Sequence, residues 1–418
     1  MNKTMNSTTQ GEEPAELDFS NPQVMECPFP LYKKLREEAP VYYSEQLGFW
    51  LVTKYEDCLE AIRSPEALSS KMGFRPGDRP DEVTRIYNEE GLGDLPDTLV
   101  SNDPPSHTRY RKLVDRAFTA GRVRQMEDYM IEVVRSLIDD FIENGRLKVM
   151  HDFAVPVPMY VIADQLGVPR SHRDKFKEWS DAAVAPLGLL ISDEKKIECA
   201  KLAVEMQHYF VGVFEDRRAN PRDDMISDLV TKEVDGAPLE IVELLSILNQ
   251  LLVAGNETTT SSIGASVVRL AQDPELVERL AKEPELADNF AEEILRHQSP
   301  VQGLFRMATK DVELSGVTIP KGSLVNLRYG SANRDESKYA DPDTFDIERE
   351  NASSHLAFGA GIHHCIGAQL ARREIAIAVR ELTARLKDIR LVDPESLTHA
   401  PSVILRGLNE YEIEFTKR

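Results

Sequence analysis

Between Leu239 and Asp273 the chain runs for thirty-odd residues without a proline, very apolar in its middle, and is stopped by Pro274. Such a segment forms one helix of roughly 50 Å. It is too polar at both ends to span a bilayer, so the spacing predicts a helix that crosses the whole protein. Ala254-Gly255-Asn256-Glu257-Thr258-Thr259 sits midway along it. Gly255, Asn256 and the threonines are poor helix formers, and an acid within a buried stripe is costly without partners. A local break of this kind in a buried helix marks a candidate functional site.

The second informative stretch is Phe358-Gly359-Ala360-Gly361-Ile362-His363-His364-Cys365-Ile366-Gly367. It precedes a predicted helix from Ile366 to about Leu386, with apolar residues at Leu370, Ile377, Leu382 and Leu386. Cys365 therefore sits where unpaired N–H groups and the positive end of the helix dipole favour a thiolate. Gly359, Gly361 and Gly367 let the backbone approach the sulfur and any flat ligand above it. A lone thiolate so held can be the axial ligand of a haem iron. Two other readings stand beside this one. Most cysteines are inert core residues, and His355, His363, His364 and Cys365 crowd together as zinc ligands would, without the second ligand cluster that structural zinc sites bring.

An acid beside an alcohol on the long helix suits O2 chemistry, which needs protons delivered while bulk water is kept out. Thr258 would hydrogen-bond dioxygen or a nearby water, and Glu257 would relay protons from solvent. The plainer alternative has Glu257 facing solvent or an ion pair, with Thr258 bonding the carbonyl four residues back. Glu293 and Arg296, three apart on one helix face, form either a solvated pair or a buried structural one.

Composition excludes other classes. The net charge is -21 over 418 residues, opposite to what nucleic acid or an anionic lipid face requires. An apolar content of 41% with 29% charged residues is that of a globular protein. No run approaches the roughly 20 apolar residues of a membrane span. Four sparse cysteines (27, 58, 199 and 365) point to a reducing compartment, hence a cytoplasmic location. Residues 1–20 are polar and acidic, without a signal-peptide core, and are expected to form a disordered tail before a single domain over 21–418.

Helical patterns are predicted at about 106–118, 123–144, 158–166, 172–184, 194–218, 223–232, 239–271, 274–282, 284–298 and 366–386. Strands are predicted early, near Val41–Tyr43 and Phe49–Thr53. Others come late, near Val312–Leu314, Val317–Ile319, Leu324–Leu327, Ile389–Leu391 and Tyr411–Phe415, with a hairpin turn at Pro320-Lys321-Gly322. This is a mainly α fold with small β-sheets, not a doubly wound one.

The cysteine loop, Ala254–Thr259 and Glu293-Ile294-Leu295-Arg296 together resemble the signature motifs of the cytochrome P450 monooxygenases, over roughly residues 25–418. The resemblance implies a one-domain, α-rich fold with the long helix crossing the molecule, and haem b (iron protoporphyrin IX) ligated by Cys365. It places Phe358, Gly359 and Gly367 against the cofactor, and gives His107, Arg111, Arg306 and His363 the haem propionates. It makes Glu293 and Arg296 structural supports of the cysteine loop and of the segments around Asn333–Arg334 and Phe345–Arg349. It implies hydroxylation of a C–H bond with O2 and two electrons. With no flavin domain in the chain, these would come from a ferredoxin and its reductase, docking near Arg109, Lys112, Arg116, Arg372 and Arg373. The resemblance puts the substrate pocket near Leu92–Val100, Pro186–Ile191, Leu251, Ala254, Val301, Leu304 and Val403. It is largely apolar, with no cation to clamp a carboxylate, which suits a terpenoid, alkylaromatic, steroid or fatty-acid-like molecule. The competing functional classes are a haem protein that binds or senses without turnover and a zinc-stabilised structural protein.

Overall fold

The computed structural model describes residues 21–71, 79–188, 191–233 and 237–418; the predicted N-terminal tail lies outside them. The long helix is present as Ile241–Gln272, 32 residues, or about 48 Å. Its start is fixed by a capping box, in which Glu240 and Glu243 each accept the other's backbone N–H. Asp273 and Pro274 end it and begin the next helix, Pro274–Lys282.

The predicted break does not occur: the helix runs continuously through Gly255 and Asn256. Side-chain bonds hold the weak formers in place. Thr258, Ser261, Ser262 and Ser266 each donate to the carbonyl four residues back, at 2.7–3.0 Å. Asn256 is anchored to Ser180 Oγ at 2.9 Å. The central helix joins two cores. Its first half packs Leu244, Leu248 and Leu252 with Phe176, Trp179 and Phe210. Its second half packs Ile263, Val267 and Leu270 with Phe153, Phe290 and Ile377. The cysteine-bearing helix, Ala368–Arg385, lies in the second core, beside Leu286–Gln298 and Glu127–Phe141. The predicted 123–144 helix is divided into Ala120–Gln125, Glu127–Phe141 and a short turn ended by Gly145 in the left-handed region (φ 66°).

The largest sheet has five strands in the order Val41–Ser44, Phe49–Val52, Leu324–Leu327, Leu304–Ala308, Leu68–Ser69. Only Phe49–Val52 and Leu324–Leu327 pair in parallel, with Trp50 opposite Val325. A three-stranded sheet joins Arg146–Lys148, Glu412–Lys417 and Leu386–Leu391. The hairpin is not at Pro320–Gly322. Val312–Leu314 pairs with Val317–Ile319 instead, turning at Ser315 and Gly316, both with positive φ as a tight two-residue turn demands. Pro320–Ser323 does form a turn, but it leads into the five-stranded sheet. Short elements went unpredicted: the helices Phe29–Glu38 and Tyr55–Ile62, and the strands Leu68–Ser69 and Arg146–Lys148. Among the described residues no helix is long and apolar enough to cross a membrane.

Candidate functional site

A cavity of about 1370 Å³ separates the central helix from the cysteine loop. Gly359 and Gly361 take positive φ (64° and 63°) and fold the loop back, so that the Cys365 N–H donates to Phe358 O at 2.8 Å. The cysteine helix opens at Ala368, two residues later than predicted. Cys365 faces the cavity. Burial pushes its thiol pKa up, opposed by the Gly367 N–H and by the charges of Arg111 and Arg372. The helix end alone therefore does not make a thiolate here; a metal cation at the sulfur would. A Cβ added at Gly367 would meet no protein atom within 4 Å, and Gly367 also lines the cavity. The space above it is open to a ligand.

The four predicted propionate partners all line this cavity. His107 is 2% exposed, its ring 4.4 Å from that of His363, and its buried Nδ1 has no hydrogen-bond partner. His363 Nε2 lies 3.0 Å from Ser70 Oγ, itself on the loop that Asp103 ties down through the Ser70 N–H. Burial, with Arg306 and His107, pushes the His363 pKa down to about 3, and burial lowers that of His107 as well. Both are therefore neutral imidazoles in this wall. The charge comes from Arg306 and Arg111. Arg306 is 4% exposed and donates to the Phe305 carbonyl at 2.7 Å. Among the described residues no carboxylate lies within ion-pair distance of it. Arg111 also holds Asp115 at 2.7 Å. An orphaned imidazole nitrogen, a buried guanidinium without a carboxylate and a cavity-facing sulfur fit a flat, dianionic, metal-centred cofactor.

The bland geometry holds for Thr258: its hydroxyl donates to Ala254 O at 2.8 Å while lining the cavity. Glu257 is not part of the cavity wall. Its carboxyl packs against Gly407, where an added Cβ would lie 3.1 Å from Oε1. Burial, and then the Asp181 charge, raise its pKa, with Lys177 opposing. Glu293 and Arg296 are both fully buried and doubly bonded at 2.7 Å. Arg296 also donates to the Asn333, Pro342 and Thr344 carbonyls, while Glu293 accepts from the Asp346 N–H and Arg349. Asn333 Oδ1 in turn accepts the Leu356 N–H, just ahead of the cysteine loop.

Leu251, Ala254, Val301 and Leu304 line the cavity as expected, and so do Leu95, Leu99, Val100, Pro186 and Ile191; residues 189–190 of that stretch lie outside the described set. Val403 does not line it. Its carbonyl accepts from Arg328 at 2.7 Å and its side chain packs against the Leu31–Phe49 cluster. Pairing of Val301 with Leu405 presents Ile404 and Leu405 to the cavity instead. The expectation of a wall without cations also fails. Arg79 and Lys196 line the outer part, each held by an aspartate: Asp94 at 2.5 Å and Asp193 at 2.8 Å. Of the expected docking cations, Arg109, Arg372 and Arg373 are paired with Glu243, Glu292 and Asp288. Lys112 and Arg116 are exposed. No trio of His, Cys, Asp or Glu side chains is arranged for a metal ion among the described residues, and His355 bonds Glu292 rather than facing Cys365. Glu374 is a further cavity residue that the sequence analysis did not single out. Its signal was available: Leu370, Glu374 and Ile377 share one helical stripe, which puts an acid on the apolar face.

Residues 43–414 match the family model described as Cytochrome P450. The putative cytochrome P450 YjiB of Bacillus subtilis is 36% identical over 408 residues, covering 97% of this chain and 98% of its own length. The structure of cytochrome P450 CYP109Q5 from Chondromyces apiculatus superposes with a TM-score of 0.85 at 37% identity, covering 96% of this chain and 98% of that one. CYP109E1 from Bacillus megaterium, solved in complex with testosterone, gives 0.81 at 33% identity, covering 94% of this chain and 98% of that one.

Proposed function

From the premise that this chain belongs to the cytochrome P450 family of haem-dependent monooxygenases, we propose that it hydroxylates an elongated hydrophobic molecule of steroid or terpenoid size. The two electrons come from a separate ferredoxin and its reductase, and the enzyme works in the cytoplasm. Bound at Cys365, haem b supplies the O2 activation that puts one oxygen atom into a C–H bond. The side chains described above do the rest. Arg306 and Arg111 balance the propionates, and His107 and His363 donate to them as neutral imidazoles. Leu251, Ala254, Val301, Leu304, Ile404 and Leu405 hold the substrate by apolar contact and exclude water. Thr258 lines the cavity while donating to Ala254 O, and turning that hydroxyl frees it to hand a proton into the cavity. Glu257, whose pKa is raised by burial, recharges Thr258 from the Asp181 and Lys177 side.

The observation that carries this reading is a cysteine sulfur facing a cavity that Leu251, Ala254, Val301 and Leu304 line together with Thr258. A testosterone-bound relative at 33% identity supports a steroid-sized substrate. The Lys112–Arg116 face supports an acidic electron donor. The test is optical titration of the purified haem protein with testosterone, a monoterpene and a fatty acid. A shift to high spin on adding a neutral, steroid-sized ligand is expected. A shift with the fatty acid alone would overturn the substrate class.

A further inference from the structure

Part of the cavity wall beside the central helix is a segment without regular structure, residues 95–101. It brings Leu95, Leu99 and Val100 to the cavity, and Leu99 shares an apolar cluster with Leu248 and Leu251 of that helix. Apolar contact is non-directional, so it does not by itself fix where an irregular segment lies along a helix. Hydrogen bonds do. Among the described residues, those that tie 95–101 to another element all end on Ser246 and Gln250.

These two residues lie four apart and share one face of the helix. The Gln250 amide nitrogen donates to Thr98 Oγ1 at 2.6 Å, and its oxygen accepts the Val100 N–H at 2.8 Å. The Thr98 and Ser246 hydroxyls lie 2.9 Å apart, and Ser246 donates to Pro96 O at 2.7 Å. A hydroxyl has one proton to give. With that of Ser246 on Pro96 O, Thr98 donates to Ser246 and accepts from Gln250. The chain therefore runs one way, from the Gln250 amide through Thr98 and Ser246 to the Pro96 carbonyl, and each link polarises the next. Thr98 and Ser246 are buried, where an unmade bond is costly. Only one register of the segment on the helix makes all of these bonds at once.

We infer that Gln250, acting through Thr98, is the positioning residue of this wall: it holds Leu99 and Val100 at one place along the central helix and so selects which carbon of the substrate is oxidised. Gln250 precedes Thr258 by eight residues, or about 12 Å along the helix axis. The wall it holds therefore meets an elongated substrate away from its reacting end, where a small displacement turns the whole molecule. The clamp stands on geometry alone; its effect on selectivity rests on the monooxygenase reading.

The experiment compares wild-type holoprotein with Gln250→Leu, which removes the amide, Thr98→Val, which removes the hydroxyl at nearly constant shape, and Thr98→Ser, which keeps it. Hydrogen exchange of peptides covering 95–101 is expected to be at least about tenfold faster in the first two variants and near wild type in Thr98→Ser. All three should keep the red-shifted reduced-plus-CO band. The second readout uses whichever of testosterone, a monoterpene and a fatty acid shifts the wild type to high spin, turned over with a ferredoxin and its reductase. The share of the main oxidation product is expected to fall at least about twofold in Gln250→Leu and Thr98→Val, and to be retained in Thr98→Ser. Wild-type exchange in both disruptive variants, an unchanged product ratio beside faster exchange, or loss of the reduced-plus-CO band in both would overturn the inference. Failure of every ligand to shift the wild-type spectrum would strike the substrate reading instead, and the exchange rates would still decide the clamp.

Discussion

Replacing Glu374 by Gln should make the protein more stable, by an amount that depends on pH. In the folded chain the carboxyl titrates at about 8, against 4.5 for the ordinary group. The folded state thus holds a proton that the unfolded state releases. Stability is intact below pH 4.5, where both states are protonated, and is lost as pH rises toward 8. At pH 7 the gap is about 2.5 pH units, or about 3 kcal/mol at 1.36 kcal/mol per unit. Glutamine has nearly the same shape and is equally unpaired, but it never ionises. It therefore removes the titration and leaves the packing unchanged. For a chain of 418 residues, an unfolding entropy of about 2.1 cal/mol/K per residue turns 3 kcal/mol into a rise in Tm of roughly 3–4 °C. The assay is a pair of thermal melts, wild type and variant, repeated between pH 5 and 8. The difference should be largest at pH 8 and nearly gone at pH 5. A Tm difference that is absent at pH 7.5, or that grows as the pH falls, would refute the reasoning.

Three other outcomes follow from the same geometry. Thr258→Ala should still consume electrons but release them as hydrogen peroxide; full coupling in that variant would count against a proton role for the hydroxyl. Arg296→Ala leaves the fully buried Glu293 carboxylate with only Arg349 and one N–H, which should cost about 3–5 kcal/mol. Expression should then yield little haem-loaded protein, and a wild-type denaturation midpoint would contradict the account. Arg306→Leu removes a buried guanidinium that faces the cavity. Haem transfer to an acceptor apoprotein should become at least about tenfold faster, since a charge-assisted bond is worth about 1.5–3 kcal/mol; an unchanged rate would remove Arg306 from the propionate site.

What could be read from the sequence was whatever a short run of residues decides. Pro274, the absence of proline before it and the Gly359–Gly361 pair fix the central helix and the cysteine loop through local backbone chemistry, and both were legible. Thr258 was legible as a residue, but its sequence left two geometries open, and the folded helix takes the one that bonds the Ala254 carbonyl. The break expected at Gly255–Asn256 failed because Ser180, from a distant helix, anchors Asn256. Val403 was misplaced by one residue, since the pairing of Val301 with Leu405 decides which side chains face inward and only the folded chain shows it. Arg79 and Lys196 reach the cavity from segments with no pattern in common. Glu374 was visible as an acid in an apolar stripe and was passed over, because only tertiary packing shows that no partner meets it.

The most direct test is the absorption spectrum of the reduced protein with carbon monoxide, for wild type and for Cys365→His. The account predicts a strongly red-shifted Soret band in the wild type and its disappearance in the variant. A colourless wild-type protein expressed with ample haem, or the same red-shifted band after the cysteine is gone, would contradict it.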